Sequence, residues 1–273
     1  MQKRCIDREY SVFICVCASD TAEGFRKAYE SIVNQTPAPS QVVICADNIT
    51  GTLLQAVEDT KPYTDVVYVN SKGDHAVARA AALCACRYEA VGVMDADDIA
   101  LPGRFEVLLD ILQYADVAGG DIREFSKQNG APLSTRCVPV SDGEIKQYMK
   151  KRCPFNHMTV MYRKSAVEKC GGYLSMFCNE DYYLWIRMAE KGCTFANAGK
   201  VLCLAGVGDS SYERRGGKEY FQSEKAVQKY MLQHGMISKL RYGFNLAIRF
   251  VVQRIMTAKV RQLFYRMFLR KKR

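Results

Sequence analysis

Four short apolar runs, separated by segments of helical periodicity, set the tightest limit on how this 273-residue chain can fold. Tyr10–Cys17 (YSVFICVC), Gln41–Ala46 (QVVICA), Asp65–Val69 (DVVYV) and Ala90–Met94 (AVGVM) are rich in β-branched and aromatic residues and are short enough for strands. After the first run, Ala18-Ser19-Asp20-Thr21 offers helix-capping residues, and Phe25, Ala28, Tyr29, Ile32 and Val33 recur at helical spacing. Pro37 and Pro39 cannot continue that helix. Further helices are predicted near Thr52–Thr60 and over the alanine-rich His75–Cys86. Apolar strands alternating with helices predict an α/β fold, a mainly parallel sheet with helices on both faces.

In sheets of this kind ligands bind beyond the carboxyl ends of the strands. Acidic residues fall at three such ends: Asp20, Asp47, and Asp95 with Asp97 in Met94-Asp95-Ala96-Asp97-Asp98. In an extended segment Asp95 and Asp97 point to the same side. Two ionised carboxylates that close repel unless a proton or cation lies between them. A Mg²⁺ ion held by one or two carboxylates, with water and phosphate oxygens completing its shell, is one resolution. The other is that one aspartate caps the next helix and the rest are solvated loop charges. Asp98, on the alternate side and just before Leu101-Pro102, fits the capping role. The chain contains neither G-x-G-x-x-G after the first strand nor G-x₄-G-K-[ST], so phosphate charge would be met by a metal rather than a backbone cradle.

The second half reads as a helix over Gly103–Leu112, a strand over Val117–Phe125, a turn at Lys127–Pro132 and a polar helix over Gly143–Lys151. A strand over Met158–Tyr162 follows, then a turn at Gly171-Gly172-Tyr173 and a helix opening at Asn179. Glu180 and Asp181 start that helix, where the dipole favours a carboxylate, either as a plain cap or as functional groups.

The formal net charge of +10 is unevenly placed. From Lys225 onward there are 13 Lys or Arg and no Asp or Glu, so residues 1–224 carry a net charge of −3. This argues against a nucleic-acid-binding body and for a tail that meets an anionic surface. Ser238–Arg273 mixes basic and apolar residues; on a continuous helix Arg241, Arg249, Lys259, Arg266 and Arg270 share one broad face, with Arg254 and Arg261 opposite. Such a helix either lies in a headgroup plane or packs on the domain with a solvated basic face. The N-terminus lacks the apolar core of a secretory leader, the twelve cysteines include no C-x₂-C pair, and no run of 18 uncharged apolar residues occurs. The expectation is a cytoplasmic chain with reduced thiols and no spanning helix.

Taken in order, these segments resemble glycosyltransferase family 2. The resemblance rests on SVFICVCASD, on SIVNQTPAPSQVVICAD (Ser31–Asp47), on MDADDIALPGRFE (Met94–Glu106), on PFNHMTVMYRKSAV (Pro154–Val167), on GGY (Gly171–Tyr173) and on EDYYLWIRM (Glu180–Met188). It covers roughly Tyr10–Gly217 and is similar to bacterial exopolysaccharide and O-antigen transferases of the amylovoran type. The resemblance implies a GT-A, Rossmann-like fold: a glycosyltransferase domain over residues 1–224, with a nucleotide-binding half (about 10–120) and an acceptor half (about 121–224). Residues 225–273 would form a basic helical extension.

What the resemblance implies for the site is equally specific. Ala18, Asp47 and Asp95 would contact the nucleotide, Asp97 would hold Mg²⁺ or Mn²⁺, and Asp181 would be the catalytic base. Glu180, His157 and Trp185 would lie in or behind the acceptor pocket. The implied enzyme is an inverting, metal-dependent hexosyltransferase. It would move a sugar from a nucleotide-sugar donor, UDP-linked by expectation, to a lipid-linked or oligosaccharide acceptor in surface polysaccharide synthesis. It would sit at the inner face of the cell membrane through its tail, with no nucleic-acid partner. Two rivals remain: transfer directly to polyprenyl phosphate, and a non-catalytic protein that binds nucleotide sugars at the membrane. Two departures stand out. Asn48-Ile49-Thr50 replaces a glycine-containing turn, and the Q-x-x-R-W signature of processive synthases is absent, with Arg214-Arg215 near its place.

Overall fold

The computed structural model describes residues 6–208, 216–257, 260, 261 and 263. The chain runs β1 (Tyr10–Cys17), α1 (Ala22–Val33), β2 (Gln41–Asp47), α2 (Gly51–Glu58), β3 (Asp65–Val69), α3 (His75–Ala85), β4 (Ala90–Asp95), β5 (Ile99–Ala100) and α4 (Arg104–Leu112). It continues with β6 (Val117–Ser126), β7 (Pro132–Arg136), α5 (Asp142–Met149), β8 (Met161–Arg163), α6 (Lys164–Lys169), α7 (Glu180–Glu190) and β9 (Phe195–Val207). Helices Gly217–Gln233 and Lys239–Phe250 follow. The first of these passes through residues 224 and 225, where the charge of the chain changes.

The sheet order is β3-β2-β1-β4-β8-β6-β9-β5, with β7 hydrogen-bonded to β6. Strands β1 to β4 pair in parallel, in the manner the sequence predicts. Beyond β4 the sheet is mixed. The three-residue β8 lies antiparallel between β4 and β6, β6 and β9 run parallel, and β5 and β7 add antiparallel pairs. The mainly parallel arrangement therefore belongs to the first half alone. A parallel pairing needs a crossover of a dozen or more residues, whereas β7 follows β6 through a short turn and can only fold back. The predicted strand over Met158–Tyr162 is shifted to Met161–Arg163, because His157–Thr159 form a tight 3₁₀ turn. There the Thr159 hydroxyl bonds the Asn156 carbonyl at 2.7 Å, a local contact that competes with strand pairing.

Alternation along β1 sorts the core. Val12, Ile14 and Val16 pack with α1, α2 and α4 on one face, while Phe13 joins α3 and α7 residues on the other. Caps fix the helix starts. Thr21 Oγ1 accepts from Gly24 N at 3.1 Å, and Ser141 with Glu144 forms a capping box. Asn48 adopts φ +52°, the left-handed conformation a glycine would take, and Gly51 adopts φ +61°. Asn tolerates that region better than other side chains, so the unusual Asn48-Ile49-Thr50 turn keeps a glycine-like path. Among the described residues no helix is long and apolar enough to cross a membrane, and no disulfide links the described cysteines.

Candidate active site

The carboxyl ends of β1, β2 and β4 open onto one cavity of about 700 Å³, which reaches α7 and the two C-terminal helices on its far side. Asp47, Asp95, Asp97, Asp181, Glu180 and His157 all line it, although they come from positions as far apart as β2 and α7. Ala18 does not; it borders a smaller hollow with Thr21, Thr50 and Leu53. Trp185 is fully buried behind the wall, its ring 5.3 Å from Phe155 and 6.3 Å from His157, so it supports the cavity from the core rather than facing it.

At the strand end of the cavity Asp47 is buried and accepts from the Ser71 backbone N–H at 2.9 Å and from the Ser71 hydroxyl. Asp20 accepts from Cys17 N at 2.8 Å, and burial raises its pKa, with Asp97 and Asp95 adding to the effect. Burial likewise raises Asp95; Arg79 opposes the shift and Asp97 reinforces it. Asp97 pairs with the Lys127 ammonium from the β6–β7 turn. Asp98 is not a helix cap. It is 2% exposed, and one oxygen accepts from Gly206 N in β9 at 2.9 Å. Gly103 in a left-handed conformation precedes α4 instead. Burial pushes Asp98 well above the usual carboxylate range, and its second oxygen has no hydrogen-bond partner among the described residues. Gly206 suits this crossing, since a Cβ there would stand 3.0 Å from the Asp97 carbonyl oxygen, a tight contact.

The sequence reading passed over Arg79, which joins the two halves. Its guanidinium pairs with Asp95 at 3.5 Å and with Glu180. Burial alone would weaken its charge, but the anions around it, Asp95 foremost, hold its pKa above the ordinary value. The signal was present: His75 and Arg79 are four apart on α3 and so share one face, which looks into the cavity. Lys127 carried no such signal, because only the pairing of β6 with the distant β9, where Lys127 N donates to the Val207 carbonyl at 3.2 Å, brings it to Asp97.

At the opposite end of the cavity Asp181 occupies the first turn of α7, and one of its oxygens accepts from Tyr182 N at 2.6 Å. The other lies 3.7 Å from the Cys153 thiol, whose pKa is pushed far up by burial and by Asp181, so the thiol stays protonated as a donor. The preceding residue, Glu180, is buried and tied to Arg79 rather than capping the helix. His157 is buried with Nε2 3.0 Å from the Tyr173 hydroxyl, and burial, with Arg79 second, holds its pKa well below the ordinary value.

The donor set suits a hard divalent cation. Asp95 and Asp97 offer carboxylate oxygens to one cavity wall, and positive groups already lie against both. Among the described residues no group of three His, Cys, Asp or Glu is placed to hold a metal alone. An ion here would therefore share the two carboxylates with phosphate oxygens, a coordination that Mg²⁺ and Mn²⁺ accept.

The cavity lies beyond the carboxyl ends of parallel strands and is lined by spaced carboxylates, the place where α/β sheets of this kind bind ligands. Residues 11–171 match the family described as Glycosyl transferase family 2. The chain belongs to that family and is a glycosyltransferase. It is 34% identical over 269 residues to an uncharacterized glycosyltransferase of Haemophilus influenzae, covering 96% of this chain and 100% of the relative. It is 28% identical to the UDP-Gal:alpha-D-GlcNAc-diphosphoundecaprenol beta-1,3-galactosyltransferase of Escherichia coli, covering 96% and 97%. In structure it is similar to the mannosyltransferase PcManGT from Pyrobaculum calidifontis in complex with GDP-Man and Mn²⁺, with a TM-score of 0.59, 15% identity and coverage of 97% and 78%.

Proposed function

We propose that this protein is an inverting, metal-dependent glycosyltransferase that transfers a sugar from a UDP-linked donor to a lipid-linked saccharide in surface polysaccharide synthesis. The observation that carries this reading is the single cavity that gathers Asp47, Asp95 and Asp97 at one end and Asp181 at the other. Asp47 receives the base, and Asp95 faces the ribose and diphosphate. Asp95 and Asp97 would hold Mg²⁺ or Mn²⁺, which when bound neutralises charge on the leaving diphosphate. The E. coli relative's UDP-Gal donor and the Mn²⁺ in the Pyrobaculum structure support the same assignment.

Asp181 takes the proton of the acceptor hydroxyl as its oxygen bonds the anomeric carbon. The bond from that carbon to the phosphate oxygen breaks on the opposite face, and the nucleoside diphosphate leaves with the electron pair. Two donors, Tyr182 N–H and the Cys153 thiol, hold the Asp181 carboxylate, and the helix dipole favours its charged form. Arg79 ties Glu180, next to the base, to Asp95 on the donor side, which fixes the distance between the two ends. In this reading the chain is a catalytic unit followed by a basic extension that rests on the anionic inner leaflet.

A thermal-shift screen of UDP-, GDP- and dTDP-sugars with and without Mn²⁺ tests the donor assignment. The true donor shifts the melting temperature in a concentration-dependent way, more strongly with the metal. A flat response to all three overturns it. Product formed on bare polyprenyl phosphate, with none on a saccharide acceptor, would establish the rival transferase reading.

A further inference from the structure

Asp97 is held differently from the other aspartates at the strand end of the cavity. Asp20 accepts from the Cys17 N–H, Asp47 from Ser71, and Asp98 from the Gly206 N–H, while Asp95 is paired with the buried Arg79. Those donors are backbone N–H groups, a hydroxyl and a guanidinium set in the frame. The partner of Asp97 is the ammonium at the end of a long side chain, and the Lys127 and Asp97 side chains are 43% and 32% exposed. A solvated pair of this kind is worth little, so either member changes partner at small cost.

Lys127 is nevertheless placed with care. Its backbone N–H bonds the Val207 carbonyl at 3.2 Å, where β6 and β9 end side by side. Its stem crosses Gly206: a Cβ there would stand 2.9 Å from Lys127 Cε and 3.2 Å from its Cγ. Gly206 thus clears the path by which the stem reaches the cavity, while its own N–H holds Asp98. The ammonium is delivered to a carboxylate that the transferase reading gives to a divalent ion.

We infer that Lys127 is a second cation for the leaving diphosphate, paired with Asp97 in this structure and carried by its stem to the sugar-bearing phosphate of a bound donor. The inference rests on the transferase reading and adds a residue to it. An ammonium and a divalent ion repel when both lie against one carboxylate, so Asp97 cannot serve both at full strength. As Asp97 turns to the metal, the ammonium is released within the reach of its own stem. Asp47 and Asp95 already have their donors, and the anion newly present is the diphosphate. Lys127 then donates to an oxygen of the phosphate that departs from the anomeric carbon, where negative charge grows as that bond breaks.

The test separates the two partners of Lys127 in the full chain and its Lys127→Gln and Lys127→Arg variants. Binding of Mn²⁺ alone is followed by loss of the electron paramagnetic resonance signal of the free ion. A nucleoside diphosphate, its monophosphate and its nucleoside are then titrated by calorimetry at saturating Mn²⁺, the diphosphate being the best stabiliser among UDP, GDP and dTDP. Lys127→Gln should bind Mn²⁺ alone about two- to fivefold more tightly, because the competing ammonium is gone. The same variant should bind the diphosphate about tenfold more weakly, as loss of a charged hydrogen bond does, and change monophosphate and nucleoside binding by less than about twofold. Lys127→Arg keeps the charge and a donor, and should stay within about threefold of the parent chain for every ligand. Tighter Mn²⁺ binding with unchanged diphosphate affinity would make Lys127 a competitor alone and overturn the inference. Equal weakening of monophosphate and diphosphate, or an unchanged Mn²⁺ affinity, would overturn it as well. If diphosphate binding in the parent chain ignores Mn²⁺ yet still weakens in Lys127→Gln, the metal assignment fails and the phosphate contact stands.

Discussion

The two ends of the cleft are built in opposite ways. The strand end stands on the carboxyl ends of parallel strands, where backbone pairing fixes every Cα and carboxylates face the cavity. The α7 end is assembled from the Lys151–His157 segment, the first turn of α7 and two C-terminal helices, and it presents cations, a thiol and apolar side chains. In the proposed function the first design places negative charge where a cation and a diphosphate would meet. The second would receive the acceptor beside Asp181. Arg79 is the one side chain bonded to both the β4 aspartate and the α7 carboxylate among the described residues.

The largest test of that division is Asp181→Asn. Loss of a positioned base should lower transfer by about 10²–10⁴-fold while nucleotide affinity, measured by calorimetry, stays within twofold. A parallel loss of nucleotide binding would mean the two ends are not separable. Arg79→Gln attacks the link itself. It leaves Glu180 and Asp95 without their cation, and removing one partner of a buried pair costs about 3–5 kcal/mol. A clear fall in the urea midpoint is expected, with both turnover and nucleotide affinity reduced.

A smaller effect separates the ends by pH. His157 has a folded-state pKa well below its ordinary value, so it stays neutral in the folded chain while the unfolded chain takes up a proton below about pH 6.5. Its contribution to stability is therefore lost as pH falls from that value toward the folded pKa. Asp95 and Asp98, whose pKa values are raised, act with the opposite sign: they favour folding at low pH and oppose it as pH rises through their range. Urea midpoints from pH 7.5 to 5.5 should thus fall less steeply in His157→Gln than in the parent chain, and an unchanged slope would remove His157 from the account. The smallest stability effect belongs to Lys127→Gln, at most about 1 kcal/mol, because the Lys127–Asp97 pair is partly solvated. The informative readout is the Mn²⁺ concentration for half-maximal activity. It should drop, since the ammonium no longer competes with the metal for Asp97.

Legibility followed the same division. Strands β1 to β4 were readable because each is a near-continuous apolar run, with an acidic residue at or just past the ends of β1, β2 and β4, and that pattern is local. Asp47, Asp95 and Asp97 came with it, since strand ends in such sheets converge in space whatever the loops do. Beyond α4 the fold depends on pairings between distant segments. The Val117–Phe125 run looked like one more strand, but its neighbours β8 and β9 could not be read from its own residues. Lys127 and Lys151 have the local appearance of solvated charges, and only the β6–β9 pairing and the docking of Lys239–Phe250 bring them to the cleft. The placement of Arg249 escaped the sequence for a related reason. Helical periodicity placed Arg249 on an outward basic face, whereas the buried carboxylate of Glu224 draws it inward and turns the apolar residues out. Arg261, on the face opposite to it, is also buried and bonds the Val252 carbonyl at 3.0 Å. Lys259, Arg266 and Arg270 lie outside the described residues.

The long β6–β9 pairing bears on how the cleft can move. From Val117–Phe195 to Ser126–Val207 the two strands run side by side, and β9 then reaches the donor wall, where Gly206 holds Asp98. No linker separates the two ends of the cleft, so they cannot rotate against each other as rigid bodies without tearing this ladder. The Lys127 turn, held to Asp97 by an ion pair, lies on the rim of this frame and can leave it. A cleft built this way opens by displacement of such a turn on a fixed frame rather than by rotation at a hinge.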